Sequence, residues 1–131
     1  VTHGGSGAYF SPSGHKIGMP SKDSFKSVAH YYATLFHEIG HSLKEKGTHS
    51  VGFGSEPYAK EELVAELFSS LCLAECGLEA PEVTTNSTAY VQNWLEALKG
   101  DKTLILSAAS EAFKRFTALT KVEEQAEEVE A

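Results

Sequence analysis

Two histidines four residues apart, with a glutamate directly after the first, set the tightest limit on how this chain can fold. The stretch Leu35-Phe36-His37-Glu38-Ile39-Gly40-His41-Ser42-Leu43 has to be helical for its chemistry to work. On a helix, positions four apart share a face about one turn from each other, so His37 and His41 can offer ring nitrogens to one ion. Glu38 is turned roughly 100° from His37, which keeps its carboxylate off that ion but within reach of a water bound to it. H-E-x-x-H on a helix is the pattern of a zinc peptidase whose Glu is the general base. The helical wheel agrees: Val28, Tyr32, Leu35, Phe36, Ile39 and Leu43 gather on one side, and Thr34, His37, Glu38 and His41 on the other. The alternative reading is an ordinary amphipathic helix with solvated or structurally bonded histidines.

With 131 residues the chain is long enough for one core and too short for two, and it reads as a single domain over residues 1–131. No apolar run approaches the ~20 residues of a membrane span, so no membrane partner is expected. The acidic balance, 18 Asp and Glu against 11 Lys and Arg for a net charge of -7, argues against the basic patch that phosphate contacts need. This domain alone is therefore expected to bind no nucleic acid, and a protein or peptide substrate is the expected partner. Cys72 and Cys76, four apart in a Leu-rich helix, are expected to be two buried, reduced thiols, with zinc ligation the weaker alternative. They fit a reducing compartment. Asn86-Ser87-Thr88 matches a glycosylation acceptor, but without a signal peptide or disulfide framework it reads as a chance match. A start at Val1 is what a piece of a longer protein would have.

Taken in order, residues 2–7 hold three glycines and read as a flexible lead-in. Ala8-Tyr9-Phe10 and His15 to Met19, separated by Ser11-Pro12-Ser13-Gly14, predict a small β-hairpin that lines a substrate cleft or covers the core. The motif helix is expected from about Phe25 to Lys46, and a loop follows with His49, a candidate third ligand at the wrong spacing for a metzincin. A second helix from Ser55 or Tyr58 to Cys76 packs through Leu63, Val64, Leu67 and Leu71. Glu62 and Glu66 share its other side, where one can hold the ion and the other can accept a ring N–H from a ligand histidine. Glu61, turned roughly 100° from Glu62 toward the packing side, is the poorest candidate of the three. After a connector at residues 79–83, a third helix is expected from Ser87 to Lys99 and a fourth from its cap at Asp101, both core-forming; Trp94 reads as core, with a pocket wall as the alternative. Residues 120–131 read as an acidic tail, either a frayed helix end or a disordered segment.

Phe25, Tyr31 to Leu35 leading into His37-Glu38-Ile39-Gly40-His41, and Phe53 to Leu67 together resemble the zincin-like metallopeptidase domain of ArdC-type antirestriction proteins. So does the later run Tyr90, Trp94, Leu95, Leu98, Lys99, Asp101 and Lys102. The resemblance implies an α+β fold with about four helices and a small N-terminal β-hairpin or sheet. It also implies a cytoplasmic protein of bacterial, plasmid or phage origin. The spacing Glu62-x-x-x-Glu66 further resembles the gluzincins, in which a ligand Glu is followed four residues later by an acid that orients a ligand histidine, although here that acid is Glu and not Asp. On this likeness His37, His41 and Glu62 bind Zn2+, and Glu38 is the catalytic base of a zinc metallopeptidase that hydrolyses peptide bonds with zinc-activated water. Tyr9, His49 and Tyr58 are candidates for holding the oxyanion by residue type. The rival function is a non-catalytic, zinc-stabilised domain that inhibits a host protein such as a restriction enzyme.

Overall fold

The computed structural model describes residues 1–44, 56–78 and 80–130. Its strands are β1 (Thr2–His3), β2 (Tyr9–Ser11) and β3 (Lys16–Met19), and a 3₁₀ turn at Lys22–Ser24 leads into the helices α1 (Val28–Ser42), α2 (Glu56–Glu75), α3 (Pro81–Ala97) and α4 (Lys102–Glu130). This is the α+β arrangement expected, four helices with a small N-terminal sheet. Among the described residues no helix is long and apolar enough to cross a membrane.

β2 and β3 form the antiparallel hairpin, with Phe10 opposite Ile17 and Tyr9 opposite Gly18. The Tyr9 ring lies over Gly18, where a Cβ would displace its outer edge. The first two residues of the expected lead-in, Thr2–His3, form a third strand. β1 pairs in parallel with β3, giving the order β1-β3-β2. Its anchor is long-range and so invisible to composition: His3 Nε2 lies 2.6 Å from the Tyr31 hydroxyl of α1, and Gly4 N donates to Met19 O at 3.0 Å.

α1 starts three residues later than expected because Ser27 is its N-cap, accepting from His30 N at 3.2 Å. Its end at Ser42 falls short of Lys46, which lies with His49 outside the described residues. α1 crosses α2 at Gly40: a Cβ there would stand 3.0 Å from Phe68 Cδ1 and 3.2 Å from the Ala65 Cα, so only glycine allows this approach. The core sits behind it, with Leu63, Val64, Phe68 and Cys72 of α2 packed against Leu98 and against Ala108 and Ala112 of α4. α3 begins at Pro81, well before Ser87, since proline is preorganised for a first helical position and lacks the N–H that would go unpaired there. α4 is capped as expected, Asp101 Oδ1 accepting from Thr103 N and Leu104 N at 3.0 and 3.1 Å. Its helical backbone runs on to Glu130, through the stretch read as a tail, in keeping with the helix propensity of Glu, Gln and Ala. The two thiols part company: Cys72 is buried, whereas Cys76 lies just past the last helical residue, Glu75, and is exposed. The expectation of two buried thiols holds for Cys72 alone.

Candidate metal centre

The close crossing of α1 and α2 brings the two histidines against three glutamates. His37 Nε2 and His41 Nε2 lie 3.1 Å apart. The Glu62 carboxylate is 3.0 Å from the first and 3.1 Å from the second. These donors all fall within 4.8 Å of one another, a grouping that can hold a metal ion. Each histidine also has its far nitrogen engaged by a different acid. His37 Nδ1 donates to Glu66 Oε1 at 2.8 Å, and His41 Nδ1 donates to Glu61 Oε2 at 2.8 Å. With the proton held on Nδ1, both Nε2 lone pairs are left for an ion.

The supporting carboxylates are themselves anchored. Ser87 Oγ of α3 donates to Glu66 Oε2 at 3.1 Å. Arg115 of α4 grips both oxygens of Glu61, Nη1 to Oε2 at 3.0 Å and Nη2 to Oε1 at 2.9 Å, while Nη1 also reaches Gly40 O at 3.0 Å. Arg115 is only 6% exposed.

Burial opposes every charge here, and the pairing overrides it for four of the five shifted groups of the cluster. Desolvation pulls the His37 imidazolium down, but hydrogen bonds to Glu62 and Glu66 hold its pKa up at about 10. His41 is raised against the same burial penalty by Glu61 and Glu62. Burial pushes the Glu62 carboxyl up, yet the two histidines hold it down at about 2. Glu61 is likewise lowered, by His41 and Arg115, against the penalty of burial. Glu38 differs: burial raises it, and the nearby histidines only partly compensate. Its affinity for a proton is increased where those of Glu61 and Glu62 are decreased.

Glu38 opens onto a cleft of about 350 Å³ shared with His37, His41, Glu62, Tyr58 and the β2 residues Tyr9 and Phe10. A second cavity of about 540 Å³ adjoins His37, Glu62 and Glu66 from the α1–α3 side, with Phe25, Tyr90 and Trp94 in its walls. Trp94, read as core, thus has one face on a cavity; its ring also meets Tyr58 edge-on at 5.8 Å. Of the oxyanion candidates, Tyr9 and Tyr58 line the cleft and Tyr58 hydrogen-bonds Glu62, whereas His49 lies outside the described residues. Sequence reasoning missed Glu61, Ser87 and Arg115. One signal was available: Arg115 is the only arginine of the chain, and it stands beside Phe116 on the fourth helix, among the apolar positions Ala108, Ala112, Phe116 and Leu119.

Against known proteins, the family described as zincin-like metallopeptidase matches residues 1–111. An uncharacterized protein of Sinorhizobium fredii, y4eC, is 40% identical over 116 residues, which are 86% of this chain and 38% of that protein. The DNA primase TraC of Escherichia coli is 40% identical over 113 residues, 82% of this chain and 10% of the primase. Crystal structures of the antirestriction protein ArdC from plasmid R388 match 92% of the chain. The Mn(II)-bound form has a TM-score of 0.70 at 38% identity and the metal-free form 0.69 at 40%. The chain spans less than half the length of each of these relatives, from 10% of the primase to 46% of the manganese-bound ArdC chain.

Proposed function

The chain belongs to the zincin-like metallopeptidase family, and from that premise we propose that it is a metal-dependent peptidase in which His37, His41 and Glu62 hold Zn2+ and Glu38 is the general base. The observation that carries the reading is the convergence of two Nε2 atoms and one carboxylate within 4.8 Å, each histidine being fixed from behind by a carboxylate. Two imidazoles and one carboxylate are the donor set of catalytic zinc sites, which leave a position open. The manganese in the ArdC relative is in keeping with a divalent ion in such a site. When bound, such an ion supplies Lewis acidity, lowering the pKa of water and polarising a carbonyl oxygen.

The protein's own residues supply the rest. Glu38, half-buried and raised in pKa, accepts a proton from the attacking water and returns it to the leaving amine. Tyr58, bonded to Glu62 on the cleft wall, is the residue best placed of the candidates to donate to a developing oxyanion. β2 is an edge of the sheet as described, and its Tyr9 and Phe10 border the cleft, so an extended peptide has a strand to pair with beside Glu38.

The non-catalytic reading, a zinc-stabilised domain that blocks a host protein such as a restriction enzyme, draws on the antirestriction role named for the ArdC relative. Glu38→Gln separates the two. Catalysis requires peptide hydrolysis to fall at least ~10²-fold while zinc content stays unchanged. Undiminished activity of the variant in an antirestriction assay, with no cleavage of a peptide library by wild type, would make binding the function.

A further inference from the structure

We propose that Arg115 is a positioning residue for the metal centre, acting through Glu61 to fix the ring of His41. The inference rests on the reading of His37, His41 and Glu62 as metal donors.

Four carboxylates, Glu38, Glu61, Glu62 and Glu66, crowd two histidines. Among the described residues, Arg115 is the arginine or lysine that the structure pairs with any of them. Its guanidinium takes both oxygens of Glu61 in a fork, which lysine cannot reproduce. Glu61 is thereby held in place, with Oε2 turned to His41 Nδ1 at 2.8 Å. A fixed acceptor orients the His41 ring and aims Nε2 at the ion. The same guanidinium donates to the carbonyl of Gly40, in the last turn of α1, where a cation complements the helix dipole. One side chain from α4 therefore ties down both His41's acceptor and the helix turn that carries His41.

Packing alone does not account for this arrangement. A nearly buried arginine on a helix whose inward neighbours are Ala108 and Ala112 pays a desolvation cost that an apolar residue would avoid. Arg115 also lies beyond residue 111, where the family match ends, so the support for His41 comes from α4 sequence outside the matched region.

The test is zinc affinity, measured by competition with a chromophoric chelator on the full chain, together with the visible spectrum of the Co2+-loaded protein. Arg115→Met should weaken zinc about 10 to 100-fold and shift the Co2+ bands, and Arg115→Lys should recover only part of the affinity. Glu61→Gln, which keeps the shape and removes the charge, should reproduce the loss and decides the matter if Arg115→Met does not fold. Glu111→Ala serves as control: Glu111 meets Arg115 at Nε, away from Glu61, and should leave zinc affinity unchanged. Wild-type affinity and spectrum in Glu61→Gln or in folded Arg115→Met would overturn the proposal. A wild-type chain without measurable affinity for zinc would remove the metal-centre reading and the proposal with it.

Discussion

Glu62 and Glu66 stand one turn apart on α2 and meet the same histidine at different nitrogens, and under the proposed function that difference gives them different roles. Glu62 faces both Nε2 atoms, at 3.0 and 3.1 Å, whereas Glu66 accepts from His37 Nδ1 and is itself tethered by Ser87. Removing a ligand abolishes most binding, while removing a carboxylate behind a ligand costs roughly 10 to 100-fold. Glu62→Ala should therefore be nearly zinc-free and Glu66→Ala should keep zinc with weakened affinity; titration against a chelator ranks them, and the reverse ranking would exchange their roles. The residues legible in sequence were those whose meaning is local. His37, Glu38 and His41 declare themselves by spacing within one helix, and Glu62 and Glu66 by spacing within the next. Glu61 was set aside because its wheel position points to the packing side, which is correct: what packs there is the His41 ring edge and the buried Arg115, 54 residues along the chain. Helical periodicity cannot report a partner at that distance.

At the scale of elements, the centre depends on how closely α1 and α2 approach. Gly40 sets that distance, since an added Cβ would meet the Ala65 backbone at 3.2 Å and Phe68 at 3.0 Å, and neither a backbone atom nor a fully buried ring can give way freely. In an exposed helix Gly→Ala gains up to ~1 kcal/mol of propensity. Here overpacking works against it, at a typical cost of about 1 to 3 kcal/mol. Gly40→Ala should thus lower the melting temperature and, by displacing the adjacent His41, weaken zinc as well. Thermal denaturation and a zinc titration check both; an unchanged or raised melting temperature would mean that the helices do not touch at Gly40. The helices themselves were readable from their 3.6-residue period, but their starts were not, because Ser27 and Pro81 act through cap geometry that competes with the neighbouring Asp and Ser signals. β1 was unreadable for a further reason. Two residues beside glycines carry no strand pattern, and the strand exists through β3 and the Tyr31 hydroxyl.

For the molecule as a whole, proton and metal compete for one cluster, and the sign of that competition can be worked out. Burial lowers the His37 pKa, but Glu62 and Glu66 raise it more, to about 10 from 6.5. A group raised on folding stabilises the fold fully below its unfolded pKa and loses that contribution as pH rises through the folded one. In chelated protein the His37 contribution is therefore complete below 6.5 and fades toward about 10. Glu62, which burial raises but the histidines bring down to about 2 from 4.5, contributes fully above 4.5 and loses its share as pH falls through about 2. The chelated chain should be most stable, as far as this pair decides it, between those two unfolded values, and its melting temperature should decline from pH 6.5 to 9. The core behind α2 does not depend on an ion, so the chelated chain is expected to stay folded, unlike a zinc finger. Zinc reverses the slope. An ion on His37 Nε2 replaces the proton, so its affinity rises with pH, and its stabilisation grows as RT ln(1 + [L]/Kd), about 2.7 kcal/mol at a hundredfold excess over Kd. Bringing a dication into a chain of net charge -7 acts in the same direction. Paired thermal denaturations at pH 6, 7.5 and 9, with chelator and with saturating zinc, should show a gap that widens with pH. A gap that is constant or narrows would mean that zinc displaces no proton from His37 over this range.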